Sequence, residues 1–397
     1  MRVSMFTSWQ VRCGIADYSA HLVEALNSLG DVAVSVTPFD HRPHPRSDYT
    51  AWGRRMNEGD IAHIQHEYSF FGYRLPWRNY YPALVAPIDK PLVITRHVSF
   101  DGPFSIPGAG VGHLLRRVKW EMYKRWLGPY ARYLNYGMFK IAGAIIVLSA
   151  HLKEHLVRRG IPPNQIHVIP AGVPVVASPA GGAALRTAWG WEDKIVIGQP
   201  GYITPAKGHL TALAALRQLP ESYCLLIAGG LRREADRAAL AAIEREIARS
   251  SLQSRVRITG FVPSSNLPAH IDACNVLIYP YTQVDSSYSV VSGAAYQHAP
   301  LIVSDVPAHV ELASFCPGLV LFPSGDAAAL AHAILEVTQN QRLNQELVNG
   351  LRRYAQEFAW SAIAKRTRAV YEHVLEQSGH RHAPDHTPIA SRRRSTL

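Results

Sequence analysis

The sequence has few cysteines and no long apolar run. Its 397 residues include four cysteines, which form no paired motif, so neither a disulfide framework nor a zinc site is predicted. No window of about 18 residues is continuously apolar, so no transmembrane helix is predicted. The first ten residues, MRVSMFTSWQ, lack the apolar stretch of a signal peptide and resemble a core strand. We therefore expect a reduced, cytoplasmic protein.

Acidic residues are scarce relative to basic ones. The chain carries 41 Lys and Arg against 30 Asp and Glu, a formal charge of +11. Such an excess suits nucleic acid, anionic lipid or phosphorylated substrates. The sequence contains no zinc-ligand spacing, helix-turn-helix or RNA-binding sheet motif. The charge is concentrated in residues 101–140 and 378–397, so a nucleic-acid partner is the weaker explanation and none is expected.

Two basic segments allow more specific predictions. Residues 378–397 have four arginines, one aspartate and little apolar content, which predicts a disordered tail. Residues 112–139 combine basic with aromatic side chains. They could rest on an anionic membrane at its inner face and present a lipid-linked acceptor. An ordinary helix with core tryptophans and solvated lysines explains the same pattern.

Apolar runs of strand length alternate with helical patterns in both halves of the chain. This alternation predicts an α/β protein with parallel sheets covered on both faces, and hence two Rossmann-like domains facing each other across a cleft. Ligands of such sheets bind beyond the carboxyl ends of the strands. We predict an N-terminal domain over 1–178, a C-terminal domain over 190–357 and a last helix over 358–377.

The segment IVIGQPGYITPAKG (195–208) is the most informative candidate for a ligand site. An apolar β-like run is followed by a glycine turn and then by Lys207, which is predicted to open a helix over about 207–218. The free N–H groups and partial positive charge of a helix start, together with a lysine, suit an anionic ligand. Many strand–loop–helix units carry a lysine by chance. This segment therefore indicates a ligand site only together with the other segments described below.

Gly14 and His97 lie where the same ligand needs them in the first half. Gly14, between the first strand and the first helix, lets a ligand approach the backbone closely, although a plain tight turn explains it too. His97 closes the strand PLVITRH, so it is expected to face the cleft and to donate or titrate near neutral pH. A structural role is the alternative for any one of the 19 histidines.

Histidines also occur in the segment DIAHIQHEY. His63, His66 and Glu67 suggest a metal site by composition. On a strand, however, residues three apart point to opposite faces, so no metal site is predicted.

The segment 279–300 provides a third candidate. Asp285 precedes Ser286, Ser287, Tyr288 and Ser289 at the start of a helical pattern. The hydroxyls and backbone N–H groups suit phosphate oxygens, and the carboxylate suits sugar hydroxyls. A helix N-cap cluster explains the same residues.

These segments, in this order, resemble one family. They are CGIADYSAHLVEAL (13–26), DIAHIQHEYSFFG (60–72), the strand ending Thr95-Arg96-His97, IVLSAHLKEHLVRRGI with IHVIPAGV (146–173), GYITPAKG (201–208), RITGFVPSSNL (257–267) and Asp285 through PLIVSD. Over residues 1 to about 377 the chain is similar to the GT-B glycosyltransferases of family 4. The resemblance implies the two-domain GT-B fold, with the C-terminal helix crossing back to the first domain.

The resemblance also implies an activity. The family transfers a sugar from a nucleotide-diphosphate donor to a hydroxyl of a glycan or lipid-linked acceptor, with retention and usually without a metal or other cofactor. A mannosyl or glucosyl donor is expected. The implied catalytic residues are His97 and Asp285, and the implied acceptor-binding residues are His66 and Glu67. The implied donor-binding residues are Gly14, Gly201, Lys207, Gly260, Phe261, Val262, Ser286, Ser287, Tyr288 and Ser289.

The chain departs from the family pattern at three positions. The family's second glutamate, which holds the ribose, is Gly293 here, and its first is shortened to Asp285. The arginine usually found after the strand glycine is Tyr202, so one of two diphosphate cations is missing. The chain is therefore either a divergent active transferase or a homologue that binds nucleotide or sugar without turnover. A nucleotide-sugar epimerase of the same architecture is disfavoured by the loss of these acids.

Overall fold

The computed structural model describes residues 1–11, 13–72, 79–98, 137–174, 178–231, 234–284 and 287–381, with the single residues 118, 122 and 176. The described chain forms two parallel six-stranded sheets with helices between the strands. The α/β class and the two-sheet architecture predicted from the sequence are thereby confirmed.

The strands of the first sheet lie between Arg2 and Val168. They are β1 (Arg2–Ser8), β2 (Ala33–Phe39), β3 (Ile61–His66), β4 (Leu92–Arg96), β5 (Ala144–Val147) and β6 (Ile166–Val168). The intervening helices are α1 (Gly14–Asn27), α2 (Arg46–Arg55), α3 (Tyr81–Val85) and α4 (Ala150–Arg158). Every residue of β3, β4 and β5 is buried because helices cover both faces of a parallel sheet.

The second sheet repeats this arrangement. Its strands are β7 (Ile195–Pro200), β8 (Tyr223–Ala228), β9 (Val256–Ile258), β10 (Val276–Tyr279), β11 (Leu301–Ser304) and β12 (Leu319–Phe322). The helices are α5 (Gly182–Trp189), α6 (His209–Leu216), α7 (Arg237–Arg249), α8 (Leu267–Asp272), α9 (Tyr288–Ala294), α10 (Pro307–Ala313), α11 (Ala327–Gln339) and α12 (Gln341–Glu357). All twelve strands coincide with apolar runs in the sequence.

The last helix, α13 (Trp360–Arg381), returns to the first sheet. It packs against α1, and Tyr371 Oη lies 2.6 Å from His63 Nδ1 in β3. The chain passes between the two halves twice, after β6 and before α13. The two connecting segments meet where Val173 N donates to Phe358 O at 2.8 Å. The predicted crossing of this helix is therefore confirmed.

The C-terminal helix is longer than the sequence predicted. Residues 378–381, assigned above to a disordered tail, continue the helix, and Ser378 Oγ donates to Val374 O at 2.9 Å. The polar composition of these residues does not stop a helix, because the next proline is Pro384. The predicted disorder of 382–397 lies outside the described residues.

Candidate functional site

The strand order places one reversal in each sheet. The strand order of the first sheet is β2-β1-β3-β4-β5-β6, and that of the second is β12-β11-β10-β7-β8-β9. The order in which successive strands are added therefore reverses between β1 and β3 and between β7 and β10, which we call the reversal points. Ligands of doubly wound sheets bind beyond the carboxyl ends of the strands at this point. The segments that follow these strands carry Gly14 and Glu67 in the first half, and Lys207 and Ser289 in the second.

Lys207 lies beside the reversal point of the second sheet. Its ammonium group is 3.6 Å from the centre of the Tyr281 ring and donates to Ser289 Oγ at 3.3 Å. Tyr281 Oη is 2.9 Å from the same Ser289 oxygen. The Tyr281 ring is buried, so these contacts, one of them a cation–π contact, fix the ammonium group in position.

The backbone around Lys207 differs from the sequence prediction. Lys207 does not open the helix; it ends a short 3-10 turn, Pro205–Lys207, and α6 begins at His209. Gly208 between them has φ +68°, and a Cβ there would lie 1.7 Å from Pro280 O. Only glycine allows this approach, which brings Lys207 against the segment following β10. Gln199 Nε2 donates to Lys207 O at 2.8 Å and holds the turn.

Two histidines next to Lys207 are neutral. Burial, with a smaller contribution from the charge of Lys207, lowers the pKa of His209 and of His309 to about 4. His309 Nδ1 donates to Ser304 O at 3.0 Å, which fixes its ring beside Tyr281. The positive charge beside these rings at pH 7 is therefore that of Lys207.

The hydroxyl cluster before α9 is only partly where the sequence placed it. Ser289 Oγ contacts Lys207 as described, but Ser287 Oγ donates to Ala308 O at 2.9 Å and is used to join α9 to α10. The Tyr288 ring faces Tyr18 across the two halves, with ring centres 6.1 Å apart. Asp285 and Ser286 lie outside the described residues, so their predicted roles remain predictions.

The remaining donor-side residues lie in loops at the carboxyl ends of β7 and β9. Gly201 and Gly260 have φ values of +119° and +72°. Phe261 is 46 % exposed, and Val262 is half-buried. In the first half, Gly14 begins α1 and is exposed, and a Cβ built there meets no atom within 4 Å. These loops follow the carboxyl ends of β1, β7 and β9, and the donor-binding role of their residues remains a prediction.

His97 does not titrate as the sequence suggested. It follows β4 directly and is 5 % exposed, and its Nε2 is 2.8 Å from Gln65 Oε1. Burial lowers the pKa of His97 to about 3, so the ring is neutral near pH 7. It remains close to the cleft, because its edge packs on Tyr18 at 4.9 Å, and Tyr18 faces Tyr288. Any role for His97 is that of a neutral hydrogen-bonding ring.

His66 is placed away from the cleft. It is 2 % exposed and enclosed by the rings of Tyr68, Phe71, Tyr81 and Phe139, whose centres are 4.8 to 5.1 Å away. Burial lowers its pKa well below the usual value. The predicted contact of His66 with an acceptor is corrected accordingly, since β3 turns this side chain into the core. Glu67 follows β3, and its carboxylate accepts from Ser69 N at 2.9 Å.

Tyr281, Gln65 and Glu311 were missed by the sequence reasoning. Tyr281 positions Lys207. The only indication of Tyr281 in the sequence was its position two residues after β10. Gln65 binds His97 and was visible only as a polar residue within an apolar strand. Glu311 Oε1 and Oε2 accept from Ala150 N and His151 N, the latter at 3.1 Å, so a carboxylate of α10 caps α4 of the first sheet.

Loss of the Glu311 cap is expected to loosen the contact between the two halves. In Glu311→Ala the amide hydrogens of Ala150 and His151 lose their acceptor, so their exchange with solvent should accelerate by about tenfold, the effect of roughly 1.4 kcal/mol. Hydrogen exchange read by mass spectrometry measures this. The exposed Glu336→Ala on α11 is the control, and equal exchange in both variants would contradict the contact.

Gly293, the site of the missing glutamate, is filled by a neighbouring side chain. A Cβ there would lie 1.9 Å from Tyr279 Oη and 3.0 Å from Tyr279 Cζ. We expect Gly293→Ala to lower the free energy of unfolding by about 1–3 kcal/mol through overpacking. Urea denaturation should show part of this loss recovered in the double variant with Tyr279→Phe, which removes the nearer atom. Strictly additive effects would contradict the clash.

Two family models match the chain. The model described as Glycosyltransferase Family 4 matches residues 13–176, and the model described as Glycosyl transferases group 1 matches residues 192–340. The first match contains β2 to β6 of the first sheet, and the second contains all six strands of the second sheet.

Similar proteins extend these matches. The alpha-D-kanosaminyltransferase of Streptomyces kanamyceticus is 21% identical over 305 residues, which is 74% of each chain. The 2-deoxystreptamine glucosyltransferase of the same organism is 29% identical over 206 residues, 50% of this chain and 51% of that protein.

Solved structures share the fold. HepE of Anabaena, crystallised with UDP and glucose, has a TM-score of 0.71 at 16% identity, covering 94% of this chain and 99% of its own. The sucrose-phosphate synthase of Thermosynechococcus elongatus has a TM-score of 0.70 at 19% identity, covering 95% of this chain and 100% of its own. At these identities the likeness establishes the two-domain fold alone.

The described residues contain neither a membrane-spanning helix nor a cluster of metal ligands. No described helix has the length and apolar content needed to cross a bilayer. Within the same residues, no three side chains of His, Cys, Asp or Glu are grouped so as to hold a metal ion.

Proposed function

Since this chain belongs to the GT-B glycosyltransferases of family 4, we propose that it transfers a sugar from a nucleoside-diphosphate donor to an acceptor hydroxyl, with retention and without a metal. The position of Lys207 carries this proposal. Its ammonium group is held by Tyr281 and Ser289 at the reversal point of the second sheet.

The leaving group explains why a fixed cation is needed there. When the glycosidic bond to the diphosphate breaks, negative charge develops on the leaving oxygen. A preorganised cation in a partly enclosed site stabilises that charge without reorganising during the reaction. We assign this role to Lys207, with the loops of Gly14 and Gly201 providing backbone N–H groups for the phosphates.

The transferred sugar and the base have separate places in this proposal. The neutral ring of His97 is assigned to a hydroxyl of the sugar, and Asp285 remains the second residue predicted near the sugar. The exposed ring of Phe261, with Gly260 and Val262, is assigned to the base. A neighbour's crystals hold UDP-glucose, and one relative is named as a glucosyltransferase, which supports a uridine nucleotide and a glucosyl rather than a mannosyl donor.

The acceptor and the location of the protein are the remaining parts of the proposed function. We propose a glycan or lipid-linked acceptor held near Glu67 and the loop before Gly14. All four cysteines are unpaired and buried, which supports a reducing cytoplasmic compartment. Of the basic segment 112–139, only Val118, Met122 and residues 137–139 are described, so its contact with an anionic membrane remains a prediction.

A binding protein without turnover is the second candidate, and Gly293 favours it. The space above Gly293, where a carboxylate would act, is filled by Tyr279. The missing contact weakens donor binding by roughly one to two powers of ten, the effect of about 1.5–3 kcal/mol.

A donor screen distinguishes the two candidates. Purified protein is incubated with UDP-, GDP-, ADP- and TDP-sugars, with and without EDTA, while thermal stability and release of nucleoside diphosphate are followed. If the protein is a transferase, one donor should raise its Tm. Release of nucleoside diphosphate from that donor should then be the same with and without EDTA. A raised Tm without release supports the binding protein, and neither change with any donor would overturn both candidates.

A further inference from the structure

A chain of buried hydrogen bonds joins His97 to the C-terminal helix. His97 Nε2 is 2.8 Å from Gln65 Oε1, and Gln65 Nε2 is 3.4 Å from His63 Nε2. His63 Nε2 is also 2.8 Å from Thr95 Oγ1, and His63 Nδ1 is 2.6 Å from Tyr371 Oη. All five side chains are at most 5 % exposed. These hydrogen bonds lead from the end of β4 through β3 to α13.

The orientation of the Gln65 amide determines the direction of these bonds. Gln65 Nε2 lies 3.8 Å from Met5 Sδ, and a thioether sulfur only accepts hydrogen bonds. The group facing Met5 is therefore the NH₂ group, which leaves Oε1 to face His97. Since Oε1 only accepts, His97 Nε2 must carry the proton. His97 Nδ1, which bonds to no described residue, is then an acceptor.

The rest of the chain is consistent with this direction. Thr95 Oγ1 donates to His63 Nε2 at 2.8 Å, and the NH₂ group of Gln65 approaches the same unprotonated nitrogen at 3.4 Å, so the proton of His63 is on Nδ1 and is donated to Tyr371 Oη. In the opposite arrangement Tyr371 donates to His63 Nδ1 and His63 Nε2–H donates to Thr95 Oγ1, while the NH₂ group of Gln65 still faces that protonated nitrogen at 3.4 Å. That places two donors against each other in the core, which is unfavourable.

We propose that Gln65 is a positioning residue that fixes the Nε2–H tautomer of His97, so that Nδ1 accepts a hydrogen bond from a hydroxyl of the donor sugar. His63 and Tyr371 hold Gln65 in the required orientation from α13. The crossing helix thereby acts on the sugar site of the first domain without touching it. The role in catalysis rests on the proposed transfer reaction, but the tautomer does not.

The tautomer is measured on the protein itself. With ¹⁵N-labelled histidine, a two-bond ¹H–¹⁵N correlation spectrum at pH 7 separates protonated from unprotonated ring nitrogens, and His97→Asn identifies the signals of His97. Wild type should show a proton on Nε2. Gln65→Met, which removes the acceptor at similar volume, should shift His97 towards Nδ1–H. Tyr371→Phe should shift it in the same direction by freeing His63 to reverse.

Tyr81→Phe is the matched control. Tyr81 is also fully buried, and its hydroxyl has no hydrogen-bond partner among the residues that the structure describes. It lies on the opposite face of the sheet, so the same change of one oxygen should leave the His97 signals in place. If Gln65→Met does not fold, Tyr371→Phe still tests whether the buried hydrogen bonds fix the tautomer of His97. An Nδ1–H tautomer in wild type, or unchanged signals in both variants, would overturn the proposal.

Turnover provides a second readout. With a donor found to be active, Gln65→Met should lower kcat by on the order of tenfold while the KM for the donor changes less than twofold, because the lost bond acts on the reacting sugar. Absence of turnover with every donor would contradict the proposed function and leave the tautomer result standing. A shifted tautomer with unchanged kcat would contradict the role of the tautomer in transfer.

Discussion

Lys207→Ala is expected to lower kcat/KM for the nucleotide sugar by about 10²- to 10³-fold, the usual effect of removing one preorganised donor from a developing negative charge. The ammonium group is fixed by Tyr281 and Ser289, and the nearby His209 and His309 are neutral. Neither histidine replaces the lost charge at pH 7. Steady-state kinetics on the donor identified by the screen measures the effect.

Two variants control this prediction. Lys194→Ala removes the same charge just before the opposite end of β7 and should leave kcat/KM within about twofold, as expected for a screened surface charge. Lys207→Arg keeps the charge and the contact with the Tyr281 ring, so it should retain more activity than Lys207→Ala. Equal activity of Lys207→Ala and Lys194→Ala would remove Lys207 from the donor site.

The free energy of unfolding is expected to fall steeply between pH 7 and pH 5. Burial lowers the pKa of His63 and His97 to about 3 and, together with Lys207, that of His209 and His309 to about 4. In the unfolded chain these histidines titrate near 6.5. Their contribution is therefore complete above about pH 6.5 and is lost as the pH falls towards 4, because only the unfolded state binds the protons.

The size of this effect follows from the unfolded pKa. Between pH 7 and pH 5 each neutral buried histidine lowers the free energy of unfolding by about 2 kcal/mol. The four histidines together therefore remove a large part of the stability of an ordinary domain. His66 is neutral in the folded protein for the same reason, so urea denaturation at several pH values should show that unfolding takes up about five protons near pH 5. His309→Gln should lower that uptake by about one. A flat profile between pH 7 and pH 5 would show that these histidines are protonated in the folded protein.

The sheets were predictable because most of their strands are short apolar runs separated by turn residues. A run such as YCLLIA in β8 is buried at every residue. The sequence therefore revealed every described strand and the position of Lys207 in the loop that follows one of them. The start of α6 was misplaced because the left-handed Gly208 is required by Pro280, a residue distant in sequence.

The histidines show what a single sequence does not contain. His66 and His97 both occur at the ends of apolar strands, yet one enters an aromatic core and the other packs on Tyr18 at the cleft. Strand periodicity gives the alternation of faces but not which side chains each face packs against. The low pKa of His97 depends on burial, and its tautomer depends on Gln65 across the strand pair. The Glu311 contact likewise joins residues far apart in sequence.

A crystal structure with UDP bound would show directly whether Lys207 binds the diphosphate. We expect the diphosphate to lie beyond the carboxyl ends of β7 and β10, with a phosphate oxygen within hydrogen-bond distance of Lys207 Nζ and no metal ion between them. A diphosphate bound elsewhere, or held through a metal while Lys207 stays on Ser289, would show that Lys207 does not have this role.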